Sequence, residues 1–506
     1  MKRIFRNCVL SVFCVAICFG ELTAQTRPLS DLDSLVERVI SDWNAPGAAV
    51  AVVHNDSVVF RKGFGAIELN GDARVDEHTL FAIASTSKAF TAAAIGMLVD
   101  EGLISWDDPV AKYLPYFQLA DPFASREITV RDILSHRSGL SRGDRLWYLS
   151  PFGREEILRR VRYLEPSWSF RSQYGYQNIM FLAAGEIVGA VSGSSWDEFL
   201  DNRIFTPLAM ARTSTTTRGF DTTANVAMPH IRHNGAVIKI PWPNFDNLGG
   251  AGAINSSVAD MAEWLRLQLG GGVYRGDTLL SDSTMEEMHS PQTVVRRGEN
   301  DKRIFPESHL FAYGLGWRLQ DYRGRLLVRH GGALDGMRTH VLLLPEENLG
   351  VVAITNLNES RIPETIVFHV ADHFLGHESK DWHGVMLAAA EEANERAARR
   401  IETMEAARVA GTNPSVARDQ FVGVYEDRLY GRVVVRASED GVLQMEIGPN
   451  FSGTLQHWHY DVFRATWENP DIDSGFVQFG MDRAGRISSV EVEGFGNFLR
   501  VGDAEP

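Results

Sequence analysis

A serine and a lysine three positions apart, Ser85 and Lys88 of Ser85-Thr86-Ser87-Lys88, are the residues of this chain best suited to covalent chemistry. They follow Phe81-Ala82-Ile83-Ala84 and open the run Ala89 to Glu101, whose composition predicts a helix ending at Gly102. Three residues make about one helical turn, so the lysine amine can reach the serine hydroxyl. The free N–H groups and dipole of a helix N-terminus favour negative charge developing on a substrate oxygen. A serine hydroxyl is a weak nucleophile until a base takes its proton. A desolvated lysine has the lowered pKa that such a base needs.

The spacing by itself is weak. With 34 serines and 7 lysines in 506 residues, about 0.5 such matches arise by chance, and a short motif counts only in its context. The context is an ordered set of further residues. Tyr176-Gln177-Asn178 follows about 90 positions later, just before the apolar run Met180 to Val188, and His330-Gly331-Gly332 comes directly after the strand-like Leu326-Leu327-Val328. Taken singly, Tyr176 reads as a half-buried aromatic and His330 as a strand-end turn.

In that order, S-x-x-K, Y-x-N and a strand ending in H-x-G resemble the group formed by class C β-lactamases, penicillin-binding DD-peptidases and family VIII esterases. The likeness extends to Trp106 to Pro115, Ile128 to Leu140, Asn202 to Met210, Gly250 to Trp264 and Tyr313 to Trp317. The resemblance implies that Ser85 forms an acyl-enzyme and that Lys88 and Tyr176 share the roles of general base and acid. It further implies that Asn178 holds Lys88 and the substrate amide, and that the backbone N–H groups of Ser85 and Ala333 form an oxyanion hole. Gly331 and Gly332 would let substrate approach the strand closely. Where other branches carry Lys in K-T-G, this chain has His330, largely neutral at pH 7. That favours esters or peptides over β-lactams; the alternatives are a β-lactamase, a DD-peptidase, or a sensor of penicillin or peptidoglycan that does not turn over.

Three other motifs compete. Gly139-Leu140-Ser141-Arg142-Gly143 matches G-x-S-x-G, but a nucleophile elbow needs a strand before it, and here a polar turn precedes. His457-Trp458-His459-Tyr460-Asp461 lies on an alternating strand pattern with no following histidine, so no metal set is expected. His233-Asn234-Gly235 falls in a polar stretch read as a loop. No cofactor is implied.

The elements that must position Ser85 are strands early and late in the chain around a long helical stretch. Ala48 to Val53 and Val58 to Phe60, joined by a polar turn, pair in pattern with Leu326 to Val328, His340 to Leu344 and Val351 to Thr355. This predicts an α/β (α+β) domain over 25–378, one antiparallel sheet closed by both ends of the domain with an inserted helical region, as in the β-lactamase/DD-peptidase fold the resemblance implies. Ala- and Glu/Arg-rich residues follow without a breaker until Gly411, which predicts a helical linker over 379–413. Beyond Pro414, six short strand-like runs between Arg432 and Val492 predict a small all-β barrel or sandwich over 414–506. That part resembles the lipocalin-like β-domain appended to some members of the same group, where it could cap the site or mediate oligomer assembly.

Lys2, Arg3 and Arg6, the apolar Cys8 to Phe19, and Leu22-Thr23-Ala24 read as a signal peptide over 1–24, so the protein is expected to be exported, periplasmic or secreted. Its apolar run falls short of the roughly 20 residues that span a bilayer. Val15-Ala16-Ile17-Cys18 fits a lipoprotein signal poorly. All three cysteines lie in this leader, so the mature chain would hold no disulfide and no thiol nucleophile. Loss of three basic residues and Glu21 takes the net charge from −15 to −17. Nucleic acid is therefore not an expected partner, and a small molecule or peptide is.

Overall fold

The computed structural model describes residues 29–377, 380–438 and 440–504, so the expected signal peptide lies outside the described residues. Eight strands form an antiparallel sheet: Gly47–His54 (β1), Ser57–Gly65 (β2), Thr293–Val294 (β3), Phe311–Tyr313 (β4), Arg318–Tyr322 (β5), Arg325–Leu334 (β6), Met337–Leu344 (β7) and Leu349–Thr355 (β8). Their order is β2-β1-β8-β7-β6-β5-β4-β3, so the first two strands close onto the last one as the sequence pattern predicts.

β1 shows why its sequence is a continuous apolar run rather than an alternation. Ala49, Ala51 and Val53 face the core shared with the helical region. Ala48, Val50 and Val52 face a second core beneath helices Leu32–Trp43 (α1) and Ile362–Phe374. A strand covered on both faces needs an apolar side chain at every position, and each valine contributes about 1.5–3 kcal/mol on burial, each alanine less. Strands β3 to β5 are not evident from the sequence: β3 and β4 have only two and three residues, and β5 interrupts its apolar positions with charges, as in Arg318-Leu319-Gln320-Asp321-Tyr322.

Between β2 and β3 lie Ser87–Asp100 (α2), almost wholly buried, and Asn178–Ser192 (α3), buried over most of Asn178 to Val188. Among the described residues no single helix is long and apolar enough to cross a membrane. After Ile362–Phe374 (α4), the Ala/Glu/Arg-rich stretch forms one helix, Trp382–Ala406 (α5), anchored by buried Trp382, Met386 and Ala389 at its start.

The C-terminal region is a closed eight-stranded barrel. Its strands are Gly423–Asp427 (β9), Gly431–Ala437 (β10), Leu443–Ile447 (β11), Ser452–His459 (β12), Val462–Trp467 (β13), Gly475–Met481 (β14), Ile487–Val492 (β15) and Gly496–Gly502 (β16). The sequence pattern predicts six of these. It misses β9 and β16, which pair with each other and close the barrel.

Candidate active site

Ser85 sits in the one-turn helix Ala84–Thr86 that leads into α2, and Lys88 lies in the first turn of α2. The turn is strained: Ala84 has φ +50, a left-handed conformation that costs a non-glycine residue about 1–3 kcal/mol. Its neighbours hold it there. Ser87 Oγ donates to the Ala84 carbonyl at 2.6 Å and accepts from Ile254 N at 3.2 Å, and Thr86 Oγ1 donates to the Ile83 carbonyl at 2.7 Å. Thr86, Ser87 and Ile254 thus present the Ser85 hydroxyl to the cleft, a task their types alone do not announce.

Lys88 is fully buried, and its amine donates to Ser85 Oγ at 3.2 Å, Asn178 Oδ1 at 2.8 Å and the Ala251 carbonyl at 2.6 Å. Burial pushes its pKa well below the ordinary lysine value, opposed by the charge of Asp144. Tyr176, in the extended segment before α3, lies against Ser85, and burial raises its phenol above the ordinary tyrosine value. The amine is therefore poised to accept a proton and the phenol to keep one.

Asn178 opens α3 and hands its own amide N–H to Asp144 Oδ1 at 2.8 Å, an oxygen that also accepts from Trp147 Nε1 at 2.9 Å. Asp144 thereby fixes which end of the Asn178 amide faces Lys88. No spacing in the sequence marks it. His136 is likewise unmarked: it is buried against Tyr176 at 4.4 Å between ring centroids, and its Nδ1 accepts from Gln177 N at 3.1 Å.

His330 takes a different place from the one the motif suggests. Its ring is buried, with Nδ1 bonded to the Gly331 carbonyl at 2.7 Å and Nε2 to the Tyr313 hydroxyl at 2.9 Å. Burial pushes its pKa well below the ordinary histidine value and keeps it neutral. It supports the aromatic cluster from behind and offers the cleft neither a charge nor a free ring nitrogen. Gly332 also differs from expectation: a Cβ there would lie 2.3 Å from the Ile83 carbonyl, so it is the Ser85 turn, rather than a substrate, that approaches so closely. At Gly331 a Cβ would be in ordinary contact, 3.4 Å from His340.

Strand β5 pairs with β6 only as far as Arg329, which leaves the edge of β6 from His330 to Leu334 unpaired on that side. Ser85, Tyr176, Asn178 and Ala333 line one cleft of about 410 Å³. Such an arrangement can move a proton between an amine, a phenol and a hydroxyl beside an open backbone edge.

A family model described as Beta-lactamase matches residues 32–370. The chain belongs to the Beta-lactamase family. A relative named Unguisins hydrolase ungD', from Aspergillus campestris, is 30% identical over 358 residues, 68% of this chain and 64% of that protein. The match therefore leaves more than a third of that relative uncovered. Protein flp of Staphylococcus aureus is 25% identical over 358 residues, 68% of this chain and 66% of that one. Among solved structures, the octameric penicillin-binding protein homologue from Pyrococcus abyssi superposes with a TM-score of 0.63 at 21% identity, covering 94% of this chain and all of that one. A D-stereospecific amidohydrolase from Streptomyces sp. gives 0.56 at 22% identity, covering 69% of this chain and 99% of that one. These show the β-lactamase/DD-peptidase-like fold. Residues 407–501 match a family described as Domain of unknown function (DUF3471).

The competing motifs separate from this site. Ser141 follows a loop rather than a strand, and its hydroxyl bonds to Ser167 at 2.6 Å. His457 bonds to the Tyr460 carbonyl at 2.9 Å, and among the described residues no group of three or more His, Cys, Asp or Glu could hold a metal ion. His233 does end a strand, His230–His233, where none was expected, while Asn234 and Gly235 form the expected turn.

Proposed function

We propose that this chain is a serine hydrolase that cleaves ester or peptide bonds through an acyl-enzyme on Ser85. The observation that carries this reading is a buried lysine amine 3.2 Å from the Ser85 hydroxyl, oriented by Asn178 and the Ala251 carbonyl. Neutral Lys88 takes the Ser85 proton as Oγ bonds to the substrate carbonyl carbon. The resulting oxyanion is held by the N–H groups of Ser85 and Ala333, and one such donor is worth about 10²–10³ in rate. Collapse breaks the bond to the alcohol or amine, which takes the Tyr176 proton while the Lys88 ammonium returns one to Tyr176. Water then gives a proton to Lys88 and attacks the acyl carbon, and Ser85 recovers its proton from Lys88 as the acid departs. General acid and base help of this kind contributes about 10²–10⁴.

A neutral, buried His330 gives a substrate carboxylate no cation of the kind K-T-G supplies, which supports esters and peptides over β-lactams as substrates. Export to the periplasm or medium belongs to the same reading, supported by residues 1–24; a mature N-terminus at Gln25 checks it.

The test is labelling by a fluorophosphonate followed by peptide mass spectrometry, with rates on p-nitrophenyl esters, D-amino-acid peptides and a cephalosporin. An adduct on Ser85, with activity lost in Ser85→Ala and kept in Ser141→Ala, is expected. A cephalosporin cleaved far faster than esters or D-peptides would overturn the substrate class.

A further inference from the structure

One wall of the cleft beside Ser85 comes from the barrel. Asp471, Ile472 and Asp473 line it together with Ser85, Tyr176 and Ala333, and they belong to the turn between β13 and β14. This turn is built to hold its shape. Ile472 N donates to the Asn469 carbonyl at 3.1 Å, and Asp471 N donates to Asn469 Oδ1 at 2.9 Å. The Ile472 side chain packs on the barrel core, and the Pro470 carbonyl meets His233 Nδ1 at 3.2 Å.

The turn is also tied to the strand end that carries Ala333. The Asp471 carboxyl hydrogen-bonds to Asp335, two residues beyond Ala333, and to Asn358. Asp335 accepts in turn from the Tyr148 hydroxyl at 2.8 Å. Burial, with the charge of Asp471 adding to it, raises the Asp335 carboxyl to about 8, so the pair keeps one proton between them.

Behind the turn the barrel packs against the Ser85 domain. Leu149 packs into the barrel core, while Leu429 of the barrel belongs to the core of the Ser85 domain. The Arg145 guanidinium lies 5.1 Å from the Phe451 ring and 5.5 Å from that of Phe495. The barrel interior is filled by Phe421, Tyr425, Met445, Phe463 and Phe479. Recognition by this barrel therefore falls to its outer turn, unlike the ligand-holding interior of a hollow eight-stranded barrel.

We infer that the barrel turn from Asn469 to Asp473 is the specificity-determining wall of the active site, closing the cleft beyond Ala333 so that it accepts compact acyl donors, short peptides and small esters, and excludes bulky or polymeric ones. A volume of about 410 Å³ sits near the lower end of the roughly 300–1,000 Å³ of small-molecule pockets. The inference rests on the proposed Ser85 acyl-enzyme.

The experiment compares kcat/KM for p-nitrophenyl acetate and p-nitrophenyl 2-naphthoate in the full-length wild type, Asp471→Ala, Asp471→Asn and Ile472→Gly, with melting temperatures alongside. Asp471→Ala and Ile472→Gly are each expected to raise the naphthoate rate relative to acetate by about tenfold, one decade of differential transition-state binding. Asp471→Asn, which keeps a hydrogen bond to Asp335, is expected to stay within about twofold of the wild-type ratio. An unchanged ratio in folded, active Asp471→Ala and Ile472→Gly overturns the role of the turn alone. Should one variant not fold, the other decides. A wild type that cleaves neither ester and takes no fluorophosphonate on Ser85 overturns the acyl-enzyme reading, and this inference with it.

Discussion

Gly332 and Ile83 approach so closely that a methyl group on Gly332 would lie 2.3 Å from the Ile83 carbonyl. Through this contact strand β6 and the Ser85 turn are held as one unit. Gly332→Ala is expected to cost about 1–3 kcal/mol in stability and, by shifting Ser85 relative to Ala333, about 10²-fold in kcat. Gly331→Ala, whose new methyl meets only ordinary contacts, should melt as wild type does. Thermal melts and ester hydrolysis check both.

Lys88 must be neutral to act as a base, and its burial lowers its pKa well below that of a free lysine. The rate on an ester should rise with pH through this lowered pKa and level off beneath the ordinary lysine range. The same shift has a sign for stability. Unfolding lets Lys88 bind a proton, so its contribution becomes less unfavourable as pH rises from the lowered pKa towards the ordinary one. Lys88→Arg, always charged, should show no such limb and lose the general-base factor of about 10²–10⁴. A pH–rate profile decides this.

Asn178→Asp would put a carboxylate where an amide oxygen now lies 2.8 Å from the Lys88 amine. An opposite charge at that distance favours the ammonium, so the limb of the pH–rate profile should move to higher pH. An unmoved limb would show that Lys88 is not the group titrating.

Asp132 is buried and paired with Arg137 and with Arg171, the latter at 2.6 Å, while its carboxylate closes a capping box with Thr129. Burial alone would raise its pKa, but the arginines and the Thr129 N–H bring it below the usual carboxylate value. Its stabilisation is present above the unfolded pKa and is lost as pH falls through the folded one. Asp132→Ala removes the buried acceptor of both arginines and of the Thr129 N–H; because Arg137 and Arg171 keep access to solvent, it should cost about 1.5–3 kcal/mol. Chemical denaturation at pH 7 measures this.

Much of the fold was legible because its signals are local. A strand covered on both faces must be apolar throughout, as Ala48 to Val53 is, and a helix without breakers must run on, as Trp382–Ala406 does. Strands β4, β5, β9 and β16 were not legible, since their stability comes from partners distant in sequence rather than from their own composition.

By itself the sequence determined which residues could do chemistry here: a serine one turn from a lysine, a tyrosine and asparagine ahead of a helix, and a glycine pair ending a strand, in the order the family shares. Only the tertiary structure decided how Ser85 is used. It withdrew solvent from Lys88, turned His330 away from the cleft, recruited Asp144 to orient Asn178, and brought Ile472 to within one cleft of a serine almost 400 positions earlier. Burial and long-range contact set pKa values and cavity shape, and neither is a property of a residue's type or of its neighbours in the chain.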